Sequence, residues 1–122
     1  MVRGVRGAVC AASNSREAIF EATKKLLIHM FAKNDIDMEN IASIFITATP
    51  DLTADFPAYA VREMGLGQIP LMCATEINVP GAMQRVVRIL IHFDTDKKQH
   101  EIRHLYLGDA ARLRPDLAGG DE

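Results

Sequence analysis

The sequence predicts an α+β domain, a single mixed β-sheet with two helices on one face. Three observations carry this. Residues 41–49 and 85–93 are β-branched apolar runs of the kind found in buried strands. Residues 16–33 repeat apolar side chains at helical spacing. The order along the chain is strand, helix, strand, helix, then three strands. A chain of 122 residues supports one domain, set here at residues 1–117, with 118–122 as a disordered tail ending in Gly119-Gly120-Asp121-Glu122.

The first strand, residues 2–10, places Val5 and Val9 among small and charged residues and carries Arg3 and Arg6. Gly4 and Gly7 predict close backbone packing there. Ser13-Asn14-Ser15 then offers helix caps. In the helix over 16–33, Ile19, Leu26, Leu27, Met30 and Phe31 share a face, with Ala22 and Thr23 filling the gap, and Asn34-Asp35 ends it. Strand 41–49 is broken by Pro50-Asp51. A shorter helix starts near Phe56, with Pro57 in its first turn, and stops at Gly65. Residues 69–79 read as extended, and Pro80-Gly81 as a turn. Strand 85–93 is followed by a polar loop over 94–100, a short strand at 102–107 and a last helical turn at 110–113. With both helices on one face, the other face of the sheet would be bare, although several strands are apolar on both sides. A homo-oligomer would cover it.

Composition narrows the function. A hydrophobic share of 48% with 25% charged residues is that of a soluble globular protein. A net charge of −2 leaves no basic footprint, so no nucleic-acid partner is expected. Nine of the fourteen cations are Arg, whose planar fork grips carboxylates at two points. Cys10 and Cys73 have no metal-ligand spacing with His29, His92, His100 or His104, so no metal is expected. No stretch approaches the ~20 apolar residues of a membrane span, and the start lacks the apolar core of a signal peptide. The expected location is the cytoplasm, with free thiols.

Nucleophile elbows and phosphate-binding glycine loops are absent. The notable residues are polar groups inside apolar strands. Arg88 sits in Val86-Val87-Arg88-Ile89-Leu90-Ile91, where a charge is costly unless paired. It fits a structural ion pair, a water-facing edge position or a functional cation. Glu76, in Met72-Cys73-Ala74-Thr75-Glu76-Ile77, fits a solvent-facing strand residue or a functional carboxylate, and Arg6 has the same ambiguity. Tyr106 fits sheet packing or a ligand contact, and Cys73 a small buried hydrophobe.

These residues also carry a resemblance. Arg3-Gly4-Val5-Arg6-Gly7-Ala8, Ala48-Thr49-Pro50-Asp51-Leu52-Thr53, Phe56-Pro57-Ala58, Cys73-x-x-Glu76, Arg88 in its strand, Ile102-Arg103-His104-Leu105-Tyr106-Leu107 and Leu113-Arg114-Pro115-Asp116-Leu117 stand in one order and spacing. Together they resemble the Bacillus-type monofunctional chorismate mutases over nearly the whole chain. The resemblance implies a homotrimeric pseudo-barrel with sites between subunits. It implies an isomerase of aromatic amino-acid biosynthesis that converts chorismate to prephenate with no cofactor. It further implies that Arg88 donates to the ether oxygen, Glu76 holds the ring hydroxyl, and Arg6 grips a carboxylate with help from Tyr106. Met72, Cys73, Ala74 and Thr75 would form one wall with Glu76. Phe56, Ala58 and Arg62 would form a second wall from the neighbouring subunit, and Arg114 would belong to a mobile tail. Tyr59, Met72, Ala74-Thr75, Lys97-Lys98 and Gly108-Asp109 depart from the family pattern, and Tyr59 and Met72 bear on substrate affinity. An imine-deaminase-like or carboxylate-binding trimer on the same architecture is the alternative.

Overall fold

The computed structural model describes residues 1–116, so the tail expected at 118–122 lies outside the described residues. Five strands and two helices follow in the order β1 (Val2–Cys10), α1 (Arg16–Asn34), β2 (Ile41–Ala48), α2 (Ala58–Glu63), β3 (Leu71–Thr75), β4 (Val86–Asp94) and β5 (Leu105–Tyr106). Short 3-10 turns occupy Met38–Asn40, Gln99–Glu101 and Gly108–Leu113. The strands form one sheet in the order β3-β2-β4-β1-β5. β4 pairs antiparallel with β1 and β2, whereas β3 and β5 run parallel to their neighbours β2 and β1. The sheet is therefore mixed, as the sequence predicts.

Alternation along each strand sorts the residues between two faces. Val5 and Val9, Ile44 and Ile46, and Val87, Ile89, Ile91 and Phe93 pack beneath the helices. They meet Ile19, Leu26, Leu27 and Met30 of α1, all fully buried, and Ala60 and Val61 of α2. A register shift between Ile41 and Ser43 lets both Ile41 and Ile44 reach this core.

Local chemistry sets the ends of α1. The Ser15 hydroxyl accepts the Ala18 N–H at 3.1 Å and caps the helix. Asn14 instead accepts the N–H groups of Thr53 and Ala54, each at 3.0 Å, and ties the loop after β2 to the helix start. Asp35 closes the helix in the left-handed region, φ 51°. The Asn34 side chain is fully buried. Its amide donates to the carbonyls of Met30 (3.0 Å) and Arg103 (2.9 Å), and its oxygen accepts the Arg103 N–H at 2.7 Å. That pins the segment entering β5.

The elements differ from the predicted ones at their ends. Phe56 and Pro57 precede α2 rather than opening it. β3 stops at Thr75. The Glu76 N–H still bonds the Ala48 carbonyl at 2.9 Å, but beyond it the chain turns, with Val79 bonding back to Ile77. β5 is two residues long, because only β1 is beside it. Of the two glycines in β1, only Gly7 is required by packing. A Cβ there would lie 2.7 Å from the Leu105 carbonyl oxygen, whereas one at Gly4 would meet nothing closer than 3.5 Å. The face away from the helices is also not wholly bare. The 3-10 turn at Gly108–Leu113 covers one end, where Ala110 packs on Ala8, Val86 and Tyr106. Phe45 and Met72 on that face stay 39% and 65% exposed.

Candidate active site

On this second face, strand register aligns Tyr106, Ala8, Arg88, Thr47 and Ala74 in one row across all five strands. The next row holds Arg6, Leu90, Phe45 and Met72. Arg6 and Arg88 are thus diagonal neighbours on one surface. A cavity of about 380 Å³ opens there, lined by Arg6, Phe45, Thr47, Arg88, Leu90, Tyr106 and Arg114 among others.

Glu76 enters from just beyond the end of β3. Its Oε2 accepts the Arg88 Nε–H at 3.0 Å and the Thr47 hydroxyl at 2.7 Å. β3 and β4 are not adjacent, so the ion pair spans β2 and closes over Thr47. The pairing explains how an apolar strand tolerates Arg88, whose side chain is 42% exposed while that of Glu76 is 15% exposed. Only Nε of the guanidinium is used. Its two terminal amino groups, and Glu76 Oε1, have no protein partner among the described residues. A forked cation that lines the cavity therefore stands side by side with a carboxylate oxygen.

The opposite end of the cavity is cationic. Arg114 grips Asp116 at two points, Nε to Oδ1 at 3.1 Å and Nη2 to Oδ2 at 2.8 Å. This grip, and then the charges of Arg114 and Arg6, hold the Asp116 carboxyl below its ordinary range. The Arg6 N–H donates to Nδ1 of His104 at 3.1 Å.

The remaining residues expected at the site gather elsewhere. Phe56, Cys73, Ala74 and Thr75 line a different cavity, about 420 Å³, together with Leu52 and Pro57. Burial pushes the Cys73 thiol above its ordinary range, partly offset by a hydrogen bond with the backbone of Ala58. Phe56 and Tyr59 meet edge to face at 5.4 Å, and the Arg62 guanidinium lies 5.0 Å over the Tyr59 ring. Met72 projects beside Phe45. Within one chain, then, Arg6, Glu76, Arg88, Tyr106 and Arg114 form one group, and Phe56, Ala58, Arg62, Cys73 and Thr75 form another, with edge strand β3 between them. Sequence reasoning missed Thr47 and Phe45. The signal for Thr47 was a hydroxyl inside the apolar run 41–49, at a position whose alternation faces away from the helices.

Among the described residues, no helix is long and apolar enough to cross a membrane, and no group of three His, Cys, Asp or Glu side chains is placed to hold a metal ion.

Comparison with known proteins gives one answer. The family described as chorismate mutase type I matches residues 2–117. A chorismate mutase AroH of Thermus thermophilus is 47% identical over 118 residues, which cover 96% of this chain and 97% of that protein. The AroH of Bacillus subtilis (strain 168) is 40% identical over 119 residues, covering 97% of this chain and 94% of the other. The solved structure of a chorismate mutase from Clostridium thermocellum superposes with a TM-score of 0.89 at 41% identity, covering 91% of this chain and 99% of that one.

Proposed function

The chain belongs to the type I chorismate mutase family and converts chorismate to prephenate, and from that premise we propose which residues carry the reaction. The substrate is a dianion with two carboxylates and a ring hydroxyl. As it rearranges, its ether bond breaks, negative charge gathers on the ether oxygen and positive charge spreads over the ring. The barrier falls if a fixed cation meets that oxygen and the compact conformer is held in place.

Arg88 is the cation. Its Nε is committed to Glu76, which fixes the plane of the guanidinium and aims the terminal amino groups at the ether oxygen. Glu76 accepts the ring hydroxyl through Oε1 and stands close to the ring as it becomes cationic. Arg6 grips the enolpyruvyl carboxylate with Tyr106 beside it, and Arg114 adds positive potential at the cavity rim. The observation that supports this set most directly is the shared Glu76 oxygen, which leaves both functional ends unoccupied.

Met72, Cys73, Ala74 and Thr75 form one wall with Glu76, and the second wall, Phe56, Ala58 and Arg62, comes from an adjacent copy in a homotrimer. Two observations support this reading. The two groups lie on opposite sides of β3 in one chain, and the sheet face between them leaves Phe45 and Met72 uncovered. Family membership decides against the imine-deaminase-like alternative. We place the enzyme in the cytoplasm, a reducing compartment that suits the free thiols Cys10 and Cys73.

Incubation with chorismate tests the assignment. The expected product is prephenate, of unchanged mass, formed without added cofactor and unaffected by a chelator. Sedimentation should give three copies per particle, and a fully active monomer would rule out the shared site. Thr47→Val probes the support of Glu76. It removes the hydroxyl at nearly constant shape and is expected to lower kcat/KM by roughly ten- to a hundredfold, the size of one hydrogen bond to a charged group. Thr47→Ser should restore most of that loss. Equal kinetics for the Val and Ser variants would show that the hydroxyl does not orient the carboxylate.

A further inference from the structure

We propose that His104 is a positioning residue for the reaction: its neutral imidazole stands in for a missing strand at the edge of β1 and holds Arg6 in register. The proposal rests on the reading of Arg6 as the carboxylate anchor.

β5 begins at Leu105, which pairs with Gly7, and Tyr106 pairs with Ala8. One residue earlier, the N–H of Arg6 faces the same edge and has no backbone acceptor there. Nδ1 of His104 supplies one at 3.1 Å. The ring therefore adds a rung to the ladder and joins the backbone of Arg6 to the segment that carries Tyr106. A nitrogen that accepts must be unprotonated, so the proton of the neutral ring resides on Nε2.

Protonation removes this acceptor. It also places a third cation beside two guanidinium groups. The charged groups acting on the ring are Arg6 from β1 and Arg114 from the C-terminal segment, with Asp116 bound to Arg114, while Arg103 precedes it on its own segment. Burial first, and then the charges of Arg6 and Arg114, hold the imidazole below its ordinary range. The ring thus stays neutral at neutral pH. As pH falls below the ordinary histidine value, the unfolded chain takes up a proton that the folded ring refuses. The contribution of the rung to the fold is therefore fully present above the ordinary histidine value and is lost as pH falls through the lower value of the folded ring.

The kinetic consequence is an acid limb in kcat/KM, which reports the free enzyme. Measured from pH about 5 to about 8, wild-type kcat/KM is expected to fall on the acid side through a rising KM, with kcat little changed. His104→Asn offers an oxygen that accepts the same N–H without titrating. It should keep the neutral-pH KM within about threefold and abolish the acid limb. His104→Ala should raise KM roughly fivefold across the range. If the Ala variant does not fold, the pH profile of His104→Asn decides alone. An acid limb that persists unchanged in His104→Asn, or a folded His104→Ala with wild-type KM at neutral pH, overturns the proposal. Arg6→Ala separates the two levels. If it raises KM while the His104 variants behave as wild type, the carboxylate anchor stands and the role of His104 falls. If Arg6→Ala leaves KM unchanged, the anchor and this proposal fall together.

Discussion

Arg88→Ala is expected to lower kcat by about a thousandfold or more while the protein still folds. The variant loses a guanidinium that lines the cavity beside Thr47 and whose terminal amino groups have no protein partner among the described residues. A rate enhancement of ~10⁶ corresponds to about 8 kcal/mol of transition-state stabilisation, and a preorganised donor to a developing oxyanion supplies about 3–4 kcal/mol of such a total. On the proposed assignment Arg88 would be the largest single contributor, with the remainder spread over Glu76, Arg6 and the restraint of the conformer. The fold should survive because the Arg88 side chain is 42% exposed and its loss leaves no cavity in the core. Arg88→Lys should fail almost as badly. The native fork holds Glu76 with Nε while presenting two further amino groups, and a single ammonium on a flexible stem cannot do both. Steady-state kinetics on chorismate with a parallel thermal melt give the answer. Near-normal turnover in the Ala variant would remove Arg88 from the mechanism.

Gly7→Ala is expected to have the largest effect on stability, about 3 kcal/mol of destabilisation. The added methyl would sit 2.7 Å from the Leu105 carbonyl oxygen and 2.9 Å from both Leu26 Cδ1 and Met30 Sδ. The two side chains can give way by changing rotamer. The carbonyl cannot move without dragging β5 off β1, and β5 carries Tyr106. Folded Gly7→Ala should therefore also show a raised KM. Gly4→Ala is the control, because its methyl meets His92 and Leu90 at 3.5 and 3.6 Å, ordinary contact. Urea denaturation of both variants distinguishes them, and equal midpoints would contradict the packing argument.

Periodicity was enough to read β1, α1, β2 and β4, because each buries one face against a continuous core and so repeats its apolar residues in step. It failed at the sheet edges. Residues 77–79 are as apolar as the strand before them, but with no neighbour past Ala48 they turn away. Residues 102–104 look extended too, yet Arg103 bonds to Asn34 and His104 offers its ring in place of its backbone. Arg88 and Glu76 each stood out as charges in apolar surroundings, but their pairing could not be read from the chain. It depends on β2 inserting between β3 and β4, which is a property of strand order. The family motifs named the site residues without revealing that Cys73 points to the Phe56 side of β3 while Glu76 points to the Arg88 side.

Strand order also has a consequence for how the chain acquires its structure. β4, the middle strand of the sheet, comes late in the sequence, and it separates β1 from β2. Val2 must find Asp94, and Cys10 must find Val86. Loops that long close at an entropic cost before any contact repays it, which makes such topologies slow to fold. During synthesis β1, α1 and β2 emerge with their apolar faces complete and the strand that joins them still inside the ribosome. The nascent chain is most prone to aggregate in that interval, until the segment bearing Arg88 arrives and closes the sheet.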